Sequence, residues 1–246
     1  MFSFFSSKKI FLKDLTAGFS DIHSHILFGI DDGAKTIEDS RYIMQSFVDL
    51  GFKNAITTPH TIAEVWDNTP EIITSKYQEL TALLPELSNT LHLKVASEYF
   101  MDDSFVQRFQ SEKLLTLKDN YVLVEMSFIN PPFQLYDILF DLQVAGYKPV
   151  LAHPERYLFY HQNFDEYKKL KAAGCLFQVN LISVAGFYGE NIARTADRLL
   201  GEGLIDFAGS DVHNSSHIHC FEKPLKIKNI EPLKQVVKNN AFFELT

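Results

Sequence analysis

The chain has 246 residues, is 46% hydrophobic and 22% charged, and carries a net charge of −8, the profile of a globular protein. The acidic balance excludes a nucleic-acid groove, which needs clustered lysine and arginine to neutralise phosphates. The two cysteines, Cys175 and Cys220, build no disulfide framework and fit a reducing compartment, and no apolar run approaches the ~20 residues that span a bilayer, so the cytoplasm is the expected location.

The opening "MFSFFSSKKIFLKDL" is apolar but too short and interrupted for the apolar region of a signal peptide. It reads as an arm or short helix, residues 1–18, packed on the body; a weak peripheral membrane contact, or a subunit contact in a homo-oligomer, is the alternative. Seven strand candidates follow, at 19–25, 52–60, 91–100, 120–128, 147–155, 175–183 and 204–213. Between them lie helical patterns such as "TIEDSRYIMQSFVDLGF", "FDEYKKLKAAGC" and "GENIARTADRLLGEGL". The first opens on a capping box from Thr36 to Asp39, and Gly51, Gly146, Gly174 and Gly203 stand where helices end. Strand and helix alternating at this spacing make parallel βαβ units, closed as a barrel or open as a doubly wound sheet. No linker divides the chain, so one domain is the simpler reading.

The polar residues sit at the strand ends. Strand one ends in His23 and His25, strand two in His60, strand three in Glu98 and strand four near Glu125. Strand five ends in His153 and Glu155, strand six near Asn180, and strand seven in Asp211 and His213. Residues i and i+2 of a strand share a face, which points His23 and His25 inward together and Ile22 and Ser24 away. In a parallel barrel these ends converge on one rim. Carboxylates buried there are costly unless paired or bound to a cation, and imidazoles facing carboxylates make a metal site.

Taken in order, "DIHSHILFGIDDGAKT", "TTPH", "SEYF", "VEMSF", "AHPERY" and "GSDVHN" resemble the polymerase-and-histidinol-phosphatase (PHP) superfamily. Within it they are most similar to the bacterial tyrosine-phosphatase branch associated with capsular and exopolysaccharide synthesis. The resemblance implies a distorted (β/α)7 TIM-like barrel over residues 19–246 with a trinuclear divalent metal centre, Mn²⁺ first, with Fe and Zn as alternatives. Matched motif by motif, the implied ligands are His23, His25, Asp32, His60, Glu98, Glu125, His153, Asp211 and His213. Asp32 is preferred to Asp31 by the "DDG" pattern, a plain turn with Gly33 being the alternative, and Glu98 is the implied bridging carboxylate. The implied activity is hydrolysis of phosphotyrosine on a protein, the C-terminal tail of an autophosphorylated kinase of polysaccharide synthesis, by a metal-bridging hydroxide attacking phosphorus.

A metal lowers the pKa of its water towards ~7. Arg156, in "HPER", is the candidate phosphate clamp because its guanidinium forks onto two oxygens; its alternative is a surface ion pair. His60 and Asp211 join it as expected catalytic residues. Phe28, Tyr99, Phe100, Phe128, Phe133, Tyr157, Phe159, Tyr160, Phe187 and Tyr188 either wall a cleft for the substrate ring or fill the core.

Relatives in this branch often carry an arginine shortly after "SDVHN", where this chain has "NSSHIHCFEKP". Either His217 replaces it as a phosphate contact or that clamp is missing; for "HIHC" itself a plain exposed loop is preferred to a metal role. A cysteine phosphatase is excluded, because Lys226, six residues after Cys220, lacks the planar fork of arginine. Cys175 reads as an inert core residue. Two rival functions stand beside the tyrosine phosphatase: a histidinol-phosphatase-like enzyme for small substrates, and a low-turnover, metal-stabilised regulatory binding protein.

Overall fold

The computed structural model describes residues 9–244. Nine parallel strand segments carry it: β1 Ser20–Asp21, β2 Asn54–Thr57, β3 His60–Thr61, β4 Lys94–Val95, β5 Glu98–Phe100, β6 Tyr121–Glu125, β7 Lys148–Ala152, β8 Leu176–Asn180 and β9 Phe207–Gly209. They form a three-stranded sheet, β1-β2-β4, and a six-stranded sheet, β3-β5-β6-β7-β8-β9. The seven expected strands are all present, but the second and third are each divided. Pro59 has no N–H to give to a ladder, so β2 stops before it. The pairing nevertheless continues across the gap, through Ala96 N to Thr57 O (2.9 Å) and Glu98 N to Pro59 O (3.1 Å).

The first strand is shorter than expected. Regular pairing with β2 ends at Asp21, and the chain beyond it meets the segment after β9 in a single parallel bridge, Ser24 to Val212. Around it His25 N donates to Val212 O (3.0 Å), Asp211 N to His23 O (2.7 Å) and Thr58 N to Ser24 O (2.7 Å). Strict alternation therefore fails at one residue: Ile22, expected to face away, packs with Ile56, Ala96, Leu123, Val150, Ala152 and Phe207 in an inner apolar cluster fed from both sheets. On β6, Leu123 belongs to that cluster and Glu125 shares its face two residues on, while Val122 and Val124 face the larger cluster with Leu139 and Leu142 of the helix Leu135–Val144. The carboxylates thus stand directly beyond an apolar floor.

Local signals behave as the sequence indicates. Thr36 caps the helix Ile37–Asp49 with a reciprocal bond from Asp39. Gly51, Gly146, Gly174 and Gly203 follow helices with positive φ. The described part of the expected arm forms the 3-10 helix Leu12–Leu15 and lies along 221–225, with Leu12 fully buried; residues 1–8 of that arm lie outside the described residues. No helix among the described residues is long and apolar enough to cross a membrane.

Candidate metal centre

All nine residues implied as ligands come together at the C-terminal ends of the strands. Their donor atoms fall into four overlapping groups: His25, Asp32, His60 and His213; His23, Glu98 and His153; His23, His25 and Asp211; His60, Glu98 and Glu125. Asp32 is half-exposed at the rim and His60 and His213 are partly covered, while the other six are buried.

The proton inventory shows what the centre is built to hold. The Nε2 of Gln178 donates to Val179 O (2.7 Å), which turns its Oε1 to His23 Nδ1 (2.7 Å). His23 Nδ1 must therefore carry the proton, leaving a lone pair on Nε2. His25 Nδ1 likewise donates to the Asp31 carboxylate (2.8 Å). The two Nε2 atoms face each other at 3.3 Å. Glu98 Oε2 lies 3.1 Å and 3.4 Å from them, and Asp211 Oδ1 3.3 Å and 3.5 Å. Four electron-rich atoms thus converge with no proton of neutral imidazole to share, an arrangement that a cation satisfies. His60 Nδ1 and Glu125 Oε1 repeat it: they stand 2.8 Å apart, yet neither has a hydrogen-bond partner of acceptable geometry. Buried nitrogen and oxygen donors without thiolate suit a divalent ion of the Mn, Fe or Zn kind.

The electrostatics respond to this crowding. Burial alone raises the Glu98 and Asp211 carboxyls, but the facing histidines hold both well below the usual range. Burial, the largest single influence, opposes protonation of His23 and His60, but Glu98 together with Asp211 at His23 and with Glu125 at His60 outweighs it, so both are raised. Glu125 is raised by burial and by Glu98. His153 is pushed down to about 4 by burial and by Arg156. His153 and Asp211 also hold left-handed backbone, φ 36° and 52°, where non-glycine residues are uncommon and cluster at functional sites.

Among the supporting residues, Gln178, Asp21 and Gly209 escaped the sequence reading, whereas Asn180 and Asp31 were noted there without these roles. Gln178 orients His23; the signal was a pair of amides, Gln178 and Asn180, two apart in an apolar strand. Asn180 Nδ2 donates to Asp211 Oδ2 (2.6 Å). Asp31, set aside as a ligand, is buried and accepts from His25 Nδ1, Gly33 N (2.9 Å) and His60 N (3.2 Å). Asp31→Ala is expected to weaken metal affinity by about 10–100-fold, the usual cost of removing a ligand's orienting partner, measured by competition with a chelating dye. Asp21 ties β1 to the chain after β9, accepting from Ser210 N (2.7 Å) and Oγ (2.6 Å), and burial pushes it up to about 7. Gly209 leaves no room for a side chain, since a Cβ there would stand 2.7 Å from His23 Cβ.

A pocket of about 270 Å³ opens onto the centre, lined by Asp32, His60, Glu125, His153, Asp211 and His213 and by Phe128, Arg156, Tyr188, Asn214 and His217. Of the aromatic candidates only Phe128 and Tyr188 line it. Tyr99, Tyr157 and Tyr160 are buried in the core, and Phe28, Phe159 and Phe187 pack against it. Arg156, far from being a surface ion pair, is held by Asp211 Oδ2 (2.8 Å) with its guanidinium over the rings of Phe128 (4.6 Å) and Tyr188 (4.2 Å). The segment expected as an exposed loop is a helix, Ser215–Cys220, because Asn214 caps it by accepting from Ser216 N and His217 N. That helix buries His217 beside Asp211 O (3.1 Å), and His219 stays exposed.

Residues 19–222 match the family described as capsular polysaccharide synthesis, CpsB/CapC. The tyrosine-protein phosphatase YwqE of Bacillus subtilis is 33% identical over 195 residues, covering 79% of this chain and 77% of the relative. The tyrosine-protein phosphatase CpsB of Streptococcus pneumoniae is 28% identical over 200 residues, covering 79% and 82%. A crystal structure from work on YwqE and CpsB, described as metal-dependent tyrosine phosphatases, superposes with a TM-score of 0.80 at 29% identity, covering 91% of this chain and 93% of that one. The chain belongs to the CpsB/CapC family of capsular polysaccharide synthesis.

Proposed function

We propose that this chain is a metal-dependent protein-tyrosine phosphatase acting on an autophosphorylated kinase of polysaccharide synthesis, in the reducing cytoplasm that its free, buried cysteines suit. The observation that carries the reading is the convergence of the His23 and His25 Nε2 lone pairs on the Glu98 and Asp211 carboxylates. The nine residues are the ligands of this reading, and three divalent ions, Mn²⁺ first, its complement. Glu98 would be the carboxylate shared between ions, since its Oε2 lies towards His23 and His60 and its Oε1 towards His153 (3.1 Å). The bridge between Ser24 and Val212 and the shared inner cluster support a distorted seven-stranded barrel around them.

Bound divalent ions supply ionised water at neutral pH and positive charge for the phosphoryl oxygens. The rest falls to the chain. Arg156 spends one nitrogen on Asp211 and has others to give to a phosphate. Phe128 and Tyr188, which flank that guanidinium, give the pocket an aromatic wall for an aryl group, and His217 on the same pocket is the candidate for a second phosphate contact. A phenolate, with a conjugate-acid pKa of about 10, leaves with little help from an acid.

The test is elemental analysis with p-nitrophenyl phosphate turnover before and after chelation. About two to three metal equivalents, with activity lost to chelator and restored by Mn²⁺, are expected. Chelator-insensitive turnover would remove the assignment of His23 and His25. Competing phosphotyrosine against histidinol phosphate separates the protein phosphatase from the small-molecule enzyme.

A further inference from the structure

The pocket, at about 270 Å³, is at the small end for ligand sites. It takes one side chain, and whatever polypeptide bears that side chain must cross the rim. On one side the rim is apolar. Phe128 lines the pocket and is itself half-exposed, and beyond it stand Ile129 (84% exposed), Phe133 (102%), Tyr136, Phe140 (65%) and Val144 (71%). Six of the twelve exposed large apolar side chains among the described residues thus fall between 128 and 144, a concentration that marks an interaction surface.

Tyr136, Phe140 and Val144 recur every four residues on the helix Leu135–Val144, so they form one stripe. Leu135, Ile138, Leu139 and Leu142 of the same helix are buried. A helix apolar on both its core and its outer face belongs in an interface. Beside the stripe, one residue on, run the exposed carboxylates of Asp137 and Asp141. The acids disfavour an anionic membrane surface and favour a partner with lysine or arginine.

We propose that this stripe docks the polypeptide flanking the phosphotyrosine, and that the flank it takes alternates apolar residues with lysine or arginine. The proposal rests on the phosphatase reading. Its support is continuity: Phe128 lines the pocket wall, and the exposed Ile129 and Phe133 follow it along the chain to the start of the striped helix. The helix is about 15 Å long, which matches roughly five residues of extended chain leaving the pocket.

The test compares wild type with Phe133→Ser/Phe140→Ser on three substrates: p-nitrophenyl phosphate, a phosphotyrosyl peptide flanked on both sides by leucine and lysine, and one flanked by glycine and serine. Wild type should prefer the leucine–lysine peptide. The double variant should lose about tenfold in kcat/KM on that peptide through KM, as lost uniform binding does, with the other two substrates unchanged. Asp137→Asn/Asp141→Asn should narrow the preference for the leucine–lysine peptide over the glycine–serine peptide, with p-nitrophenyl phosphate unchanged. No discrimination by wild type, or peptide kinetics unmoved by Phe133→Ser/Phe140→Ser, overturns the docking alone. A wild-type dimer that this variant dissociates, with peptide kinetics unmoved, assigns the stripe to a second copy and overturns it too. Failure to hydrolyse any of the three overturns the phosphatase reading and the docking with it.

Discussion

Glu98→Gln is expected to strip the centre of metal and lower p-nitrophenyl phosphate turnover by more than about 100-fold, beyond the roughly 10–100-fold that losing a ligand's orienting partner costs. Glu98 is fully buried, and its two oxygens reach four histidines: Oε2 lies 3.1 Å from His23 Nε2, 3.4 Å from His25 Nε2 and 3.2 Å from His60 Nδ1, and Oε1 lies 3.1 Å from His153 Nε2. It belongs to two of the four donor groups. Glutamine keeps the shape but removes the charge and sets an NH₂ where a lone pair was. The centre then loses an anion that holds two groups together. Because the amide also hydrogen-bonds to imidazole, the fold should survive, which circular dichroism checks beside the metal analysis. A Glu98→Gln protein with full metal and full turnover would refute the bridging assignment.

What was legible in the sequence was periodic or local. The alternation of strand and helix gave the parallel strands, and Thr36 with Asp39 marked a helix start that the structure keeps, with Thr36 as the N-cap and Ile37 as the first helical residue. The pairing of His23 with His25 survives even though Ile22 breaks the alternation on which it was argued, because the Ser24–Val212 bridge sets the end of that strand independently of β1. What was not legible depends on closure between distant parts. Gln178 stands 155 residues from the ring it orients, and no local pattern marks that partnership. His153 turns inward through a left-handed residue followed by Pro154, a conformation that its residue type does not announce. The aromatic candidates divided between cleft and core for a related reason: Phe128 follows β6 and reaches the pocket, but Tyr99, within β5, turns into the core, where its hydroxyl accepts from Leu115 N (2.8 Å). Asp31 and Asp32 needed the structure to separate their roles. One is buried and accepts three hydrogen bonds, while the other is at the rim with Oδ1 3.4 Å from both His60 and His213.

Arg156→Ala is expected to lower kcat/KM for aryl phosphates by about 10²–10³-fold, the cost of removing one preorganised donor from a site where charge develops, while leaving the bound metal in place. The second half of that expectation comes from Asp211. Its Oδ2 accepts from Arg156 Nη1 (2.8 Å) and also from Asn180 Nδ2 (2.6 Å), so the carboxylate remains held when the arginine is gone. Its Oδ1, the oxygen facing His23 and His25, is not touched by the change. Lysine at 156 should recover little, because it restores a point charge without the planar fork, and the stacking between Phe128 and Tyr188 suits a flat guanidinium. Metal content and kinetics together decide between two roles for this residue. Retained metal with a fall in kcat/KM that lysine does not repair places the guanidinium on the phosphoryl group. Lost metal would make Arg156 a support for Asp211, and His217, on the same pocket wall, would then be the remaining candidate for the phosphate contact.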